Sequence, residues 1–213
     1  MTENTDKVVL NVGCGPPEYD TINGMFREPG WREIRLDIDP ALKPDVVASM
    51  TDMPMIADGS MDAVHSSNSV EHLYPHEVTR AFAEFLRVLK PEGMALIQVP
   101  DLRALARLVV EDRLEDVLMN PEIGPVMVRD HIFGYSPDIA MGKTFMAHRT
   151  GFTGRTLGNA LLRAGFAAVR VKFSSESLQL LAIAHKTVPE DYRQFLENAE
   201  KEGAPALPSD KNI

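Results

Sequence analysis

The sequence predicts an α/β domain built on a mainly parallel sheet. Three observations carry this. Short apolar runs alternate with helix-period segments, the first run ends in a glycine turn, and the last two runs are joined by a short polar loop. Strands alternating with helices build βαβ units, whose parallel sheet is expected to be covered by helices on both faces.

Taken in order, Val8-Val9-Leu10-Asn11-Val12 is a β-branched run closed by Gly13-Cys14-Gly15-Pro16-Pro17, a buried strand ending in a tight turn. Residues 33–38 read as a second strand stopped by Asp39-Pro40, residues 45–48 as a short third, 62–66 as a fourth, and 94–99 as a fifth stopped by Pro100-Asp101. The clearest helix lies between the fourth and fifth, where Val78, Phe82, Phe85, Leu86 and Leu89 recur on one face. Glu77 at its start and Arg87 and Lys90 at its end suit the helix dipole, and Pro91 with Gly93 is expected to end it. A second helix is predicted over 154–164, with Thr153 as N-cap and Gly165 as stop. Residues 168–173 and 178–184 form a closing pair, antiparallel because the link is short.

Residues 1–188 are therefore read as one domain, interrupted at 102–150 by an insertion. That insertion holds one amphipathic helix (Leu102, Leu105, Ala106 and Val109 on a face) and then a Pro-, Gly- and Met-rich stretch. Insertions of this kind form lids or substrate walls. Residues 189–213 are polar and read as a short helix and a loose tail.

The 213 residues suffice for one well-buried core, and the net charge of -9 argues against a grip on phosphate backbones. No Lys/Arg cluster appears along the chain, so a small molecule or a protein is favoured over nucleic acid as partner. No apolar stretch approaches the roughly 18 to 20 residues of a membrane span. The acidic N-terminus is unlike a secretory signal, and the single Cys14 allows no internal disulfide. The expectation is a cytoplasmic protein without a membrane partner.

In an open parallel sheet, ligands bind beyond the carboxyl ends of the strands, where the strand order reverses. Three segments fall at such ends. Gly13-Cys14-Gly15 lets backbone approach a ligand with no Cβ in the way. Asp37, followed by Ile38, ends the second strand, where a carboxylate can accept both hydroxyls of a ribose. Ser49-Met50-Thr51-Asp52 follows the third and suits an adenine edge. Alone, the glycine pair is a tight turn and Asp37 a helix cap; the combination points to a nucleoside cofactor. A dinucleotide would need Gly-x-Gly-x-x-Gly. Here the third glycine is replaced by Glu18, behind Pro16 and Pro17. A pyrophosphate would meet prolines without N–H donors and a like charge, so an NAD(P)-dependent oxidoreductase is disfavoured.

Five segments occur in the order and spacing of a known family. They are Leu10-Asn11-Val12-Gly13-Cys14-Gly15, Leu36-Asp37-Ile38-Asp39, Met53-Pro54 with Asp58-Gly59-Ser60-Met61-Asp62, Glu71-His72-Leu73, and Arg87-Val88-Leu89-Lys90-Pro91-Glu92-Gly93. Together they resemble the class I S-adenosylmethionine (SAM)-dependent methyltransferases of the small methyltransferase-domain type. The string Met146-Ala147-His148-Arg149-Thr150-Gly151-Phe152-Thr153 is similar to one in an uncharacterised bacterial branch. The resemblance runs from residue 8 to 184 and is weakest over 102–150.

The resemblance implies a Rossmann-like, seven-stranded sheet with the last strand antiparallel, and S-adenosyl-L-methionine as cofactor, which has no pyrophosphate to place. By position, Gly13, Cys14 and Gly15 would line its methionine part, and Asp37 with Ile38 its ribose. Ser49, Met50, Thr51 and Asp52 would surround the adenine, with Ser66 and Asn68 near the amino-acid end. Ser49 stands where the family often has Asp, so Asp52 would have to serve the adenine amino group.

Methyl transfer needs alignment first, and a base only for a protonated nucleophile. His72 follows the fourth strand, and the insertion offers His131 and His148, with Tyr135 and Arg149 to orient an anionic or hydroxylated acceptor of small-molecule or glycan type. His76 is expected on the surface. No metal site is expected, because the histidines lack close pairing at ligand spacings beyond an isolated His72/His76 pair beside Pro75. A non-catalytic SAM-binding partner protein is the remaining alternative.

Overall fold

The computed structural model describes residues 6–19, 21–121, 124–175 and 177–190. The expected tail, from residue 191 onward, lies outside the described residues.

Strand β1 (Lys7–Val12) pairs in parallel with β2 (Trp31–Asp37), and β2 with the two-residue β3 (Val46–Val47). On its other edge β1 pairs with β4 (Met61–Ser67), which pairs in turn with the long β5 (Leu89–Pro100). β8 (Ala168–Ser174) and β9 (Gln179–His185) close the sheet, whose order is β3-β2-β1-β4-β5-β9-β8, with β9 antiparallel to both neighbours. The strand order reverses between β1 and β4, so the binding crevice lies at their carboxyl ends. Asp62 ties the opposite end. Its carboxylate accepts from the Val8 amide (2.8 Å) and from Lys90 Nζ.

Helix α1 (Pro75–Val88) buries Val78, Phe82 and Phe85, and α5 (Gly154–Arg163), capped by Thr153 as expected, buries Leu157 and Leu161. Both cover one face of the sheet, meeting Leu10, Val12, Val64 and Ile97 in the main core. Helix α1 ends two residues earlier than its periodicity predicts. Leu89 is extended and pairs with Met61, so Leu89 and Lys90 belong to β5. Sheet pairing overrides helical spacing there. Arg87 in the last turn reaches Glu84, Asp58 and the carbonyls of Met53 and Ile56, strapping that loop to the helix.

The other face corrects the expectation of helices on both sides. The described links from β1 to β4 hold only 3₁₀ turns, at Pro17–Tyr19, Gly24–Phe26 and Pro40–Leu42. Pro16, Pro17, Gly24, Pro29 and Gly30 crowd the first link, and breakers at that density leave no room for an α-helix. Phe26 and Ile22 cover Val9, Ala63 and Leu96 instead, with Trp31 edge-on to Phe26 at 4.9 Å. Under this cover His65 Nδ1 and Asn11 Oδ1 are 2.9 Å apart, and Asn11 donates to Glu33. Burial pushes the His65 imidazole down to about 4.

The insertion starts with α2 (Leu102–Val110), capped by Asp101. A hairpin of β6 (Val117–Met119) and β7 (Val126–Met127) follows, then α3 (Val128–Phe133) and α4 (Ser136–Ala140). The chain returns beside β5, where Leu102 N donates to Phe152 O. Among the described residues no helix is long and apolar enough to cross a membrane.

Candidate functional site

The carboxyl ends of β1, β2 and β3 form a cradle whose polar groups are already engaged. The Gly13 and Cys14 amides both donate to Leu36 O, and Gly15 N donates to Asp37 Oδ2 at 3.0 Å. Asp37 Oδ1 accepts from Asp39 N at 3.0 Å, so the carboxylate clamps the glycine turn against β2. Each oxygen keeps a second lone pair, which is what two ribose hydroxyls require. Beside this 8%-exposed acid, Ile38 is 58% exposed, an apolar side chain left at the lip of the crevice. Ser49, Thr51 and Asp52 form a tight turn, with Ser49 Oγ accepting from Thr51 N and Asp52 N donating to Ser49 O; the Asp52 side chain is exposed. Met50 lies under the glycine turn. Cys14 is buried, and burial pushes its thiol up to about 11, so it stays protonated and inert.

At the end of β4, Asn68 is exposed and left-handed (φ 48°), which turns the chain so that Ser69 Oγ reaches Gly13 O at 3.3 Å. A Cβ on Gly13 would collide with the Ser69 hydroxyl, and Gly13 itself has φ 66°. Only glycine fits there. Ser66 is enclosed on the helix-covered face, with its hydroxyl unpartnered among the described residues.

The acceptor side is built differently. The 3₁₀ turn Val70–His72 buries the Glu71 side chain to 1% exposure. Its main-chain oxygen accepts from the Arg149 and Thr150 amides, bringing the segment 147–150 across the turn. His72 Nδ1 then lies 3.3 Å from Ala147 O, and His148 Nδ1 lies 3.0 Å from His131 O. The two rings meet edge to face, with centroids 4.8 Å apart. His131 is set by its neighbour Asp130, whose carboxylate accepts from Met127 N and from Ser136, pinning both ends of α3. Both Glu71 carboxylate oxygens and His131 Nε2 are buried without a hydrogen-bond partner among the described residues. Burial pushes the Glu71 carboxyl up to about 8 and His148 down to about 4, and also lowers His72 and His131. The three imidazoles are therefore neutral near pH 7. Glu71, His131 and His148 line a cavity of about 230 Å³ with Leu102, Leu105 and Phe133.

Residues 10–97 match the family model described as "Methyltransferase domain". The match covers less than half of the chain, which is similar to that family over those residues. No curated protein matches the chain. Among solved structures, the citrinin polyketide synthase CMeT domain is 13% identical with TM-score 0.58, covering 89% of this chain and 48% of that one. The chain thus spans about half the length of that structure. The Burkholderia thailandensis 1,6-didemethyltoxoflavin-N1-methyltransferase, solved with its substrate and S-adenosylhomocysteine, is 18% identical with TM-score 0.54, covering 86% of this chain and 72% of that one. A SAM-dependent methyltransferase from Methanosarcina mazei is 19% identical with TM-score 0.56, covering 87% and 94%. These likenesses show the Rossmann-like α/β fold.

The fold brings the residues expected at a cofactor, Gly13, Cys14, Gly15, Asp37, Ile38, Ser49, Met50, Thr51, Asp52 and Asn68, to one end of the sheet. It departs from sequence reasoning in three places. His72 turns toward segment 147–148 rather than opening to the crevice. Arg149 is a strap, donating to His72 O and lying 5.0 Å over the Tyr74 ring, and Tyr135 packs by Gly124, away from the cavity. Sequence reasoning also missed Ser69 and Glu71 as site residues. The only local signal for Glu71 was a carboxylate between Val70 and His72, and burial is invisible in that pattern. A basic cleft was missed as well. Arg103, Arg107, Arg155 and Lys172 line one hollow of about 680 Å³, although no Lys/Arg cluster exists along the chain.

Proposed function

We propose that this chain is a SAM-dependent methyltransferase that methylates a hydroxyl of a small-molecule or carbohydrate-type acceptor seated over Glu71. The observation that supports this most is the polar wall of the small cavity, where neutral imidazoles and a Glu71 carboxyl unpartnered among the described residues offer hydrogen-bonding atoms to a hydroxyl. A cavity of 230 Å³ is below the roughly 300–1,000 Å³ of drug-sized sites, which suits an acceptor of about one ring. When bound, SAM supplies an electrophilic methyl: the acceptor oxygen forms the new C–O bond while the S–CH₃ bond breaks, its electron pair remaining on sulfur. The chain's own work is placement and proton transfer. Gly13, Gly15 and Asp37 hold the methionine and ribose parts, and Ile38, Met50 and Asp52 flank the adenine. Leu102, Leu105 and Phe133 exclude water. His131 Nε2, buried and neutral, takes the acceptor proton, with His148 fixing the acceptor oxygen.

The test has two stages. Calorimetric titration with S-adenosylhomocysteine is expected to show micromolar binding, with no response to NADH or NADPH. Methyl transfer from labelled SAM is then followed across a panel of small alcohols, phenols and sugars. His131→Gln is expected to leave S-adenosylhomocysteine affinity unchanged and lower kcat by ~100-fold on the acceptor found. A folded protein that binds no S-adenosylhomocysteine overturns the reading. Binding without transfer to any acceptor leaves the non-catalytic alternative.

A further inference from the structure

Buried polar atoms converge around Glu71, and both of its carboxyl oxygens and His131 Nε2 lack a hydrogen-bond partner among the described residues. One ligand atom each from Glu71, His72 and His148 lie within 4.8 Å of one another. The tautomers are fixed by geometry. A carbonyl oxygen can only accept, so His72 Nδ1 must donate to Ala147 O and His148 Nδ1 to His131 O. Each ring therefore carries its lone pair on Nε2. A backbone carbonyl on the far ring nitrogen is the usual outer support of a metal-bound histidine, because it fixes the ring and raises its basicity. The carboxylate is the second, independent sign. Both Glu71 oxygens are buried with no partner among the described residues, and buried oxygens in native folds nearly always find one.

We propose that Glu71, His72 and His148 bind one divalent transition-metal ion, with the remaining position open to the cavity. Two imidazoles and a carboxylate select first-row ions such as zinc over calcium or magnesium, which prefer oxygen-only shells. Three protein ligands with an open position is the pattern of a zinc ion that acts on a substrate rather than one that only holds a fold. The ion's role rests on the proposed function: it would take the acceptor hydroxyl into the open position and acidify it, leaving His131, which is outside the trio, to receive the proton. The binding itself does not depend on that reading. The ligands stand at positions 71, 72 and 148, which explains why spacing along the chain gave no sign of a metal.

The full chain, stripped with chelator, is titrated with Zn²⁺ by calorimetry and with Co²⁺ by visible absorption. The expected result is one ion per chain and cobalt bands of low-symmetry, four- or five-coordinate type. Glu71→Gln and His148→Gln are each expected to weaken binding by at least ~100-fold, while His76→Gln, on the exposed neighbour, leaves it unchanged. Each variant is also titrated with S-adenosylhomocysteine, whose retained affinity shows that the fold is intact. Wild-type protein that binds S-adenosylhomocysteine but no metal overturns this proposal and leaves the methyltransferase reading standing. So does metal binding that survives both Glu71→Gln and His148→Gln. Metal binding without S-adenosylhomocysteine binding does the reverse, upholding the metal site and sinking the function.

Discussion

The two halves of the crevice are made on opposite principles. The cofactor half comes from short strings at the ends of β1, β2 and β3, and its amides and carboxylate already hold one another. Asp37 accepts from Gly15 and Asp39 before any ligand arrives. The acceptor half gathers residues 71, 72, 131 and 148 from three separate segments and leaves the Glu71 oxygens and His131 Nε2 without a partner among the described residues. The first half is a cradle complete in itself. The second is completed by whatever enters it, because buried acceptors without donors are costly until a proton, hydroxyl or ion arrives.

Glycines break the comparison most sharply. Gly13→Ala would place a Cβ against Ser69 at a left-handed φ, and strain plus displacement of ~2–3 kcal/mol predicts a ~30- to 100-fold loss of S-adenosylhomocysteine affinity by calorimetry. Gly134→Ala is the mirror experiment. Its Cβ would strike Met146 O and lie near Ala147 and His148, dislodging the segment that carries His148. Methyl transfer is expected to fall by a comparable ~100-fold while S-adenosylhomocysteine affinity stays within about twofold, because the disturbed contacts are confined to the acceptor half. Equal loss of both would mean that the two halves are not separable.

A smaller effect is expected from Asp37→Asn. The amide keeps one acceptor oxygen but loses its charge and the second acceptor, so affinity for S-adenosylhomocysteine should drop by ~10-fold without unfolding. The smallest concerns His65, beneath the cradle. Its imidazole is held at about 4, below its ordinary 6.5, so the fold binds that proton less well than the unfolded chain does. Its stabilising contribution is complete above pH 6.5 and is lost as pH falls toward 4. His65→Gln, which can still hydrogen-bond to Asn11, should show a shallower decline in Tm between pH 6.5 and 4 than the wild type. An unchanged slope would assign the acid sensitivity to the histidines of the acceptor half.

The contrast between the halves is also a contrast in legibility. The cradle could be read in the sequence because its parts are local. A glycine turn after a β-branched run and an acid closing the next strand are consecutive residues with fixed geometric consequences. The strands of the main sheet and α5 were legible for the same reason, whereas the β6–β7 hairpin of the insertion was not. Where a distant partner intervened, local pattern misled. Leu89 fits the helical stripe of α1, yet pairing with Met61 draws it into β5. Likewise the missing helices of the second face follow from prolines and glycines that were in view, but strand alternation alone implies a helix between every pair.

What the sequence by itself determined is the strands of the main sheet and the glycine-and-acid cradle at their carboxyl ends, since these follow from periodicity and turn chemistry over a few residues. Tertiary structure alone decided the acceptor half. It brought Glu71 and His72 to His148 and His131, gathered Arg103, Arg107, Arg155 and Lys172 into one cleft, and buried Glu71 without a hydrogen-bond partner among the described residues. Burial and convergence depend on which distant segments cross a given turn, and no spacing along the chain encodes that.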